Sequence, residues 1–556
     1  MKNMKISKVI FLVFLCLTAL CVVNTQQVKS QDTNVITILS DGSISSSTNA
    51  TDHIQPNGNV YSFTSDLVAT SLVVQRSNIT IDGAGFTLAG AGGTGIDLSS
   101  MSRVTIKNVQ LVSGFSYGIY LMESLDIKLT GNTIMGNDRG IAVYHSTQSN
   151  ISGNIITDNQ IGIELISSPE NVFRNNSLDN VYNFAVYGDE LSHFINDIDV
   201  SNTINDKKVY YLHNENGLVI GPDTFPDVGF LALVDCTDIT VHDTDLSNNA
   251  QGLVMAFTTS STITQNTIIN NYNGILLFAS SGNVISSNQI TDNYRGIQFS
   301  NASNSNTISS NNISNCKNGL FLFDSSGNAI LGNNITDNNT GIGFRASSSN
   351  RILSNYFVNN NEPVYDYYIG NSSIAPSVNF WAFDYEMGGN YWSDYDGTDV
   401  KSGSNQDQAG SDGIGDAPYN IYASNQDKYP LLPFGSHPAI SIVSPENKTY
   451  TITDVILDFT VSEATLWIKY SLDGQANVTV TERSTLSGLS EGVHSVTVYA
   501  QDTDELTGKS ETIYFTISEG AEPAQSEAFP ITWIAALIGI VVVVVVLLYF
   551  LKIKKK

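Results

Sequence analysis

Apolar and polar positions recur along the chain with a period of about 22 residues. Each repeat opens with a glycine and a branched aliphatic residue, continues to an isoleucine, and closes with an Asn-x-apolar step and a further asparagine. Within a repeat the apolar residues alternate with polar ones, which is typical of strands and not of helices. The clearest repeats begin at Gly252, Gly274, Gly296, Gly319 and Gly341, and Pro363 occupies the next glycine position.

A fixed period this short predicts stacked, similar units. Three short strands per repeat, separated by turns rich in Asn, Asp, Ser and Gly, form one coil of a parallel β-helix, in which like residues stack about 4.8 Å apart. The isoleucine columns form a dry core, and the asparagine columns lie at bends where each amide bonds its copy in the next coil. Earlier repeats begin at Gly95, Gly118, Gly140 and Gly162, and two coils of degenerate sequence are expected between Phe184 and Gly229.

These patterns predict an all-β protein with several domains. A parallel β-helix of about 12 coils covers residues 31–375, and an aromatic and acidic cap over residues 376–434 closes its end. Short alternating strands then recur through residues 438–518, which indicates an immunoglobulin-like β-sandwich without a Cys pair. In that domain Asp473-Gly474 is a favourable hairpin turn, and Trp467 is a candidate core residue.

Both ends of the chain carry apolar segments. Residues 1–30 begin with Lys2, Lys5 and Lys8 and continue into an apolar run, as in a secretory signal peptide. A linker, residues 519–530, leads to 21 nearly uninterrupted apolar residues, 531–551, which suffice for a transmembrane helix. Residues 552–556 are a basic tail that is expected to stay in the cytoplasm. The sequence therefore predicts a single-pass membrane protein with its ectodomain at the cell surface.

Charge and cysteine content narrow the function classes. The formal net charge is −27, which argues against a nucleic-acid partner. Cys236 and Cys316 fall in different coils and are not expected to form a disulfide. In an exported protein, Asn-x-Ser/Thr sequons are possible glycan sites. They are Asn49, Asn78, Asn150, Asn175, Asn301, Asn312, Asn334, Asn338, Asn371, Asn447 and Asn477.

Several stretches outside the repeat are specific enough to compare with known families. They are Asp82–Gly85, Asn196–Asp199, Val209–Leu212 and Gly389–Tyr395. Together with the Gly-Ile and Asn-x-Ile coils, they resemble the NosD family over roughly residues 35–434. The resemblance implies a right-handed parallel β-helix of the carbohydrate-binding and sugar-hydrolase type, and the C-terminal architecture is similar to archaeal surface proteins with that domain.

The chain departs from the NosD pattern at two places. Asp206-Lys207-Lys208 stands where the family has a Gly-Lys-Pro-like turn, and Lys401–Ser411 interrupts the acidic cap. In denitrifying bacteria the family includes an accessory protein for the copper site of nitrous oxide reductase. Copper needs His, Met or Cys ligands. The seven histidines of this chain are scattered without ligand spacing, so no copper site is expected.

The residues two and four places after each glycine are expected to point outward, and they form a candidate sugar-binding stripe. Aromatic side chains in such a stripe suit sugar rings, although a cap or a neighbouring segment could instead cover it. The stripe comprises Tyr120, Tyr144, Glu164, Phe278, Gln298, Phe321 and Phe323.

A glycosidase or lyase on this fold needs paired carboxylates, or Asp with Arg and Ca²⁺, on one face. Glu164 has no acidic partner in the adjacent coils of these two columns. The sequence therefore favours a membrane-anchored binding or structural module, for a polysaccharide or cell-surface glycan, over an enzyme. A polysaccharide-degrading enzyme and an accessory factor for a copper enzyme are the alternatives.

The cap contains a candidate calcium site. Five carboxylates with nearby glycines could wrap a Ca²⁺ ion in oxygen ligands, although a solvated acidic loop has the same composition. The candidate ligands are Asp394, Asp396, Asp399, Asp412 and Asp416.

Chelation tests the calcium hypothesis. Because a ligand that binds only the folded state stabilises it by about 2.7 kcal/mol at 100 times its Kd, EDTA should lower the melting temperature of a fragment spanning residues 31–434. Asp396→Asn combined with Asp412→Asn should abolish this dependence. A melting curve that EDTA leaves unchanged would contradict calcium binding.

Overall fold

The computed structural model describes residues 34–518, apart from residues 48–49, 91, 368–374, 386, 411, 433–437, 439, 462–464, 482 and 503–506. The predicted signal peptide, linker, transmembrane helix and basic tail lie outside these residues. In the part of the chain that is described, no helix is long and apolar enough to cross a membrane. The 3₁₀ helices there are Ala50–His53 and Leu191–Phe194. The chain divides into two compact units, residues 1–432 and 433–556.

The first unit is a parallel β-solenoid of about 14 turns, which is more than the 12 coils predicted. The prediction counted glycine-led repeats, and the strands Asn34–Ile38 and Thr70–Val74 form turns without that signature. The solenoid has two halves, which share one sheet and differ in the direction of their strands.

The first half ends at Ile204 and has three faces. Sheet A carries the glycine-led strands, and sheet B follows it in each coil. The third strand of each coil belongs to a sheet that continues into the second half, here called the shared sheet. Sheet A contains Ile44–Ser46, Asn34–Ile38, Thr70–Val74, Thr94–Asp97, Tyr117–Met122, Arg139–Tyr144, Ile161–Ile166 and Tyr182–Tyr187. Sheet B contains Asp197–Ile198, Val172–Arg174, Asn150–Ser152, Lys128–Thr130, Thr105–Lys107, Thr80–Asp82, Val60–Phe63 and Ile54–Asn57. The shared sheet begins with Leu67–Val68, Thr87–Ala89, Gln110–Val112, Thr133–Met135, Ile155–Thr157, Ser177–Asp179 and Thr203–Ile204.

In the second half the glycine-led strands take over the shared sheet. Sheets D and E carry the isoleucine and the Asn-x-apolar strands. The shared sheet continues through Lys207–His213, Val228–Val234, Gln251–Ala256, Asn273–Phe278, Arg295–Ser300, Asn318–Phe323, Thr340–Arg345 and Glu362–Asp366. Sheet D contains Val219–Ile220, Thr240–His242, Thr262–Thr264, Val284–Ser286, Thr307–Ser309, Ala329–Leu331 and Arg351–Leu353. Sheet E contains Asp245–Ser247, Thr267–Ile269, Gln289–Thr291, Asn312–Ser314, Asn334–Thr336, Tyr356–Val358 and Tyr391–Trp392.

A hairpin joins the two halves. Thr203–Ile204 and Lys207–His213 pair antiparallel, and every later strand of the shared sheet follows the new direction. Asn205 and Asp206 both have positive φ, 49° and 63°, as the tight hairpin turn requires. The region between Phe184 and Gly229 therefore holds the predicted two coils, but the chain reverses direction between them.

The reversal moves the core to the opposite face of the shared sheet. Along Lys207–His213, Val209 and Tyr211 pack into the core of the first half, whereas Tyr210 packs into that of the second. Reversing both the strand direction and the inward face is equivalent to a half-turn about the solenoid axis, so both halves wind with the same hand. Near the hairpin the sheet is buried on both faces, and all residues of Val228–Val234 and Gln251–Ala256 are buried.

Asparagine ladders run along the bends of both halves. In a complete rung, the backbone N–H and the side-chain amide of one asparagine donate to Oδ1 of the asparagine in the next coil. Asn288 shows the full pattern: its Oδ1 accepts from Asn266 N and Nδ2 at 3.0 and 2.9 Å, and its Nδ2 donates to Asn311 Oδ1 at 2.9 Å. The same Nδ2 also donates to the carbonyls of Ile263 and Ser286. The predicted structural role of these asparagines is confirmed.

Residues 375–432 cover the end of the second half. Trp392 stacks on Phe357 of the last coil with ring centroids 4.4 Å apart, and Tyr419 stacks on its other face at 4.3 Å. A ladder ends here at Asn390, whose N and Nδ2 donate to Asp427 Oδ2. A carboxylate only accepts hydrogen bonds, so Asp427 ends the ladder. Two short hairpins lie in this segment: Lys401–Ser402 with Gln408–Ala409, and Tyr419–Tyr422 with Asn425–Asp427.

The second unit contains two sheets around a small core. One consists of Ile440–Ser444, Val455–Val461 and Ser484–Leu486. The other consists of Thr449–Tyr450, Ile513–Ile517, Gly492–Asp502, Thr465–Leu472, Val478–Val480 and Thr507–Lys509.

Of two sequence predictions for this unit, the hairpin turn is confirmed and the core position of Trp467 is wrong. Asp473 and Gly474 form the expected turn, with φ of 53° and 71°. Trp467 is not among the core residues, because it lies on the other face of its strand and donates to Gln501.

Substitutions in one coil should separate the core from the ladder. Ile290→Asp should unfold the solenoid, since it places a lone carboxylate at a fully buried position. Asn288→Ala should cost about 1–3 kcal/mol for each neighbouring group left unpaired. Gln289→Asp, at an exposed position of the same strand, is the matched control. Urea unfolding measures all three variants, and neutral results for Ile290→Asp and Asn288→Ala would contradict the coil arrangement.

Asp427 should give the protein an unusual pH response. Burial raises its pKa to about 6, against the hydrogen bonds from Trp392, Asn390 and Tyr429, which lower it. The folded state therefore binds the proton more tightly, and this contribution to stability is complete below the unfolded pKa of 3.8 and is lost as the pH rises through 6. Between these values, wild type should lose stability relative to Asp427→Asn by at most about 1.4 kcal/mol per pH unit. Urea unfolding across this range measures the difference, and a pH-independent difference would contradict the raised pKa.

Candidate functional site

Each glycine-led strand presents three outward columns. Two of these columns are the predicted ones, formed by the residues two and four places after the glycine. In the structure both the glycine and the following aliphatic residue face the core: a Cβ on Gly140 would lie 2.9 Å from Ile156 Cγ2 and 2.6 Å from the Gly162 carbonyl oxygen. The residue before the glycine therefore also points outward, and this column contains Arg139 and Arg295.

An ion pair forms the centre of the outer face of sheet A. Arg139 Nε donates to Glu164 Oε2 at 2.6 Å, and the Tyr144 hydroxyl donates to the same oxygen. The Glu164 side chain is 2% exposed. Burial and the Glu164 carboxylate raise the pKa of Tyr144, and that carboxylate raises the pKa of Arg139 against the effect of burial. Both groups therefore keep their protons, and the glutamate is held as an acceptor by two donors.

Tyrosine rings surround this pair. Tyr117 and Tyr120 lie 4.9 Å apart by ring centroid, and each is in edge contact with Tyr144, at 6.2 and 5.5 Å. Arg139 lies over the Tyr117 ring at 5.5 Å. All three rings are half-buried. The group offers ring surface beside fixed charges.

A second group lies on the outer face of the shared sheet. The Arg295 guanidinium lies 5.4, 5.3 and 4.9 Å from the ring centroids of Tyr272, Tyr294 and Phe321. Tyr272 and Tyr294 are stacked in parallel at 4.5 Å. Arg295 also donates to Gln298 Oε1 at 3.2 Å, and Gln298 donates to a serine in its own strand.

The chain reversal brings the two groups together. The last strand of sheet A lies against the shared sheet, where Val186 N donates to Gln251 Oε1 and Asn183 N to Asn248 O. Tyr182 of that last strand is in edge contact with Tyr272, with ring centroids 6.1 Å apart. Burial, Tyr272 and Glu164 raise the pKa of the half-buried Tyr187, whereas Arg295 and Arg139 lower it, so charged groups from both sides act on this residue. We call the combined surface the junction face. It comprises Tyr117, Tyr120, Arg139, Tyr144, Glu164, Tyr187, Tyr272, Tyr294, Arg295, Gln298 and Phe321.

The predicted stripe divides between the junction face and other environments. Five of its seven residues belong to the junction face: Tyr120, Tyr144, Glu164, Gln298 and Phe321. Phe278 instead packs against Phe194 and Phe257, at 5.1 and 5.8 Å, in the covered part of the sheet. Phe323 lies farther along, under Arg345 at 4.8 Å. Sugar binding by these residues stays a prediction.

The last strand of sheet A departs from the spacing of the repeat by one residue. A period of 22 residues from Gly162 predicts that Phe184 takes the glycine position, but Asn183 takes it, and the register pairs Ile163 with Phe184 and Glu164 with Ala185. A shift of one residue exchanges the two faces of a strand. Consequently Val186 is in the core and Tyr187 points outward.

The acidic residues of the cap mostly organise its loops. Asp399 accepts from the backbone of Asp412 and Gly413, and Asp412 accepts from the Tyr385 hydroxyl at 2.7 Å. Asp416 accepts from the backbone of Lys401 at 2.9 Å. Of the remaining two, Asp394 accepts from the Tyr419 hydroxyl and Asp396 is exposed.

Within the described ranges, no three His, Cys, Asp or Glu side chains form a group that could hold a metal ion. Calcium binding by the cap stays a prediction.

Comparison with known proteins gives matches to two family models. The model described as "Periplasmic copper-binding protein (NosD)" matches residues 194–397, and "Right handed beta helix region" matches residues 59–209. No curated protein matches the sequence.

Three solved structures illustrate the structural matches. A double mutant of the periplasmic alginate epimerase AlgG is 12% identical, with 59% of this chain and 79% of that chain covered, and a TM-score of 0.25. The A-module of the Azotobacter vinelandii mannuronan C-5 epimerase AlgE6 is 14% identical, with coverages of 58% and 88% and a TM-score of 0.20. A DFA-IIIase from Arthrobacter chlorophenolicus is 14% identical, with coverages of 52% and 66% and a TM-score of 0.18. Scores this low carry no argument about function.

The two family matches together span residues 59–397 and meet at the hairpin that reverses the chain. They coincide with the two halves of the solenoid and its asparagine ladders. These matches support a NosD-like family of right-handed parallel β-helix proteins for residues 59–397.

Proposed function

We propose that the protein is a membrane-anchored, extracellular carbohydrate-binding protein and that its binding site is the junction face. The observation that carries this proposal is the combination of half-buried tyrosine rings with side-chain charges in fixed positions. Tyr117, Tyr120 and Tyr144 surround the Arg139–Glu164 pair. Rings can stack on the C–H faces of a sugar, while charged and amide groups bond its hydroxyls.

The polar groups of the junction face are held in place before any ligand binds. Glu164 is held by two donors and cannot rotate without breaking them. Gln298 is held between Arg295 and Ser300. Groups fixed in this way lose little conformational entropy when a ligand binds, which supports recognition of one defined ligand.

Catalysis is the second candidate, because a carboxylate beside a tyrosine hydroxyl can in principle transfer protons. Two observations count against it. The raised pKa of Tyr144 keeps its hydroxyl protonated, so this group is a poor proton donor and its basic form is not populated at neutral pH. Asp97 shares the column of Glu164 but lies three coils away, which at about 4.8 Å per coil is about 14 Å. That separation exceeds the roughly 6.5–9.5 Å between the two catalytic carboxyl groups of inverting glycosidases. We therefore propose binding without hydrolysis.

The location of the protein is part of the proposal. The predicted signal peptide and the apolar residues 531–551 support export and anchoring, and the NosD model is described as periplasmic. The two sheets of the second unit support an immunoglobulin-like sandwich beside the anchor in sequence. The alternative role, as an accessory factor for a copper enzyme, is supported only by the name of the matching family model.

A glycan array probed with the full-length protein in detergent micelles tests the function. Wild type should bind a defined group of glycans, and Tyr120→Ala should weaken binding about tenfold through lost stacking. Tyr356→Ala removes another exposed ring, on sheet E, and should leave binding unchanged.

Two results would contradict the proposal: no glycan bound by wild type, or equal effects of Tyr120→Ala and Tyr356→Ala. Release of reducing ends from the bound glycan would favour the enzyme instead.

A further inference from the structure

Arg295 is a buried cation at the start of its strand in the shared sheet. It is 8% exposed. Three aromatic rings enclose the guanidinium at 4.9–5.4 Å. This position is the more deeply enclosed of the two arginine sites on the junction face, since the Arg139 side chain is 20% exposed.

Arg295 has no anionic partner among the described residues. Its hydrogen bond to neutral Gln298 uses one amino group, and its Nε is buried without a partner. No ion pair in the described part of the chain includes Arg295, whereas Arg139, in the equivalent column of the first half, is paired with Glu164. The two arginines of the junction face therefore differ in one respect, the presence of a counter-ion.

The coils before Arg295 carry further unpaired polar atoms in the same column. Gln251, Asn273 and Arg295 are register partners in successive strands. Gln251 Nε2 and Asn273 Oδ1 are buried without hydrogen bonds in the described structure, like Arg295 Nε. Both residues are almost fully buried. Three successive coils thus offer a donor, an acceptor and a cation with unused hydrogen-bonding capacity.

An unpaired charge and unpaired amides in a buried row are unfavourable unless something pairs with them. Rings around the guanidinium offset part of this cost through cation–π attraction, but they do not bond its N–H groups. An anion with two oxygens fits a guanidinium in the bidentate geometry that arginine favours.

We infer that Arg295 binds the acidic substituent of a carbohydrate ligand, so that the junction face is specific for acidic glycans. The substituent is a planar carboxylate or a sulfate ester, which share this chemistry. The stacked Tyr272 and Tyr294 lie beside the bound substituent. This inference rests on the proposed function and specifies its ligand class.

Paired acidic and neutral probes test the inference. The full-length protein in detergent is titrated with oligogalacturonate and with the same oligomer fully methyl-esterified, and with dextran sulfate and unmodified dextran. Wild type should bind at least one acidic probe about tenfold tighter than its neutral counterpart. The arm that shows the preference identifies carboxylate or sulfate.

Arg295→Met removes the charge while keeping an apolar stem among the rings. It should reduce the preference for the acidic probe to within about twofold and leave the melting temperature equal or higher, because it removes an unpaired buried charge. Arg345→Met removes the arginine that lies over Phe323 and should keep the full preference. If Arg295→Met does not fold, Arg295→Gln replaces it.

The possible failures are distinguishable. Neutral and acidic probes bound equally, with Tyr120→Ala still weakening both, would overturn the inference and leave the proposed function intact. An acidic preference that survives in the Arg295 variant would also overturn the inference.

Sodium glucuronate, tested by thermal shift, separates the anion site from polysaccharide binding. Stabilisation of wild type but not of Arg295→Met, without any polysaccharide binding, would support the anion site and contradict the proposed function. No stabilisation and no polysaccharide binding would overturn both.

Discussion

The structure depends on finding acceptors for the buried backbone N–H groups at the bends of the solenoid. Each bend turns the backbone away from its own strand, so its N–H must find an acceptor from outside the sheet. An asparagine in the next coil supplies that acceptor through its Oδ1. The backbone N–H of that asparagine then needs an acceptor in the coil after it. The requirement ends where a residue only accepts, as Asp427 does below Asn390. Because the ladder has a direction, the cap has to present an acceptor, and its sequence differs from the repeat for that reason.

Cys316 shows what happens when one rung lacks the amide. Its backbone N–H still donates to Asn338, at 2.9 Å, but its thiol offers no amide oxygen to Asn293 in the coil before. The buried thiol instead contacts the carbonyl of Ser314, and burial raises its pKa to about 12. A small apolar side chain fits the space of an asparagine, and the surrounding rungs hold the bend in shape.

Much of this fold follows from the sequence, because the repeat specifies which residues face inward. The isoleucine columns and asparagine ladders lie where the period places them. The reversal at Asn205-Asp206 does not follow from the repeat, since a strand that alternates apolar and polar residues has the same pattern in either direction. The turn itself was noticed only as a departure from the NosD pattern.

The candidate site was harder to predict for a geometric reason. Counting forward from the glycine finds Glu164 and misses Arg139, which precedes its glycine and lies one coil earlier. The tyrosine-rich stretches and the two arginines before Gly140 and Gly296 were visible in the sequence, but only the reversed chain brings them onto one surface. Gln251 shows the same limitation, because its partner Val186 lies 65 residues away.

A perfectly regular solenoid repeats every surface feature, so a unique site needs an interruption. Here the hairpin provides it: an edge of sheet A lies on a sheet with a different strand direction, and side chains from distant repeats become neighbours. The contrast between the paired Arg139 and the unpaired Arg295 arises from this lack of symmetry.

The shared sheet also determines where the molecule can change in length during evolution. Near the hairpin this sheet is buried on both faces. The insertion of one coil there would shift the residues that pack into both hydrophobic cores. At the far ends of either half, a coil contributes to one core only, and adding or deleting a unit leaves the remaining coils and their ladders in register. Related chains can therefore differ in the number of coils while the surface around the hairpin keeps its arrangement.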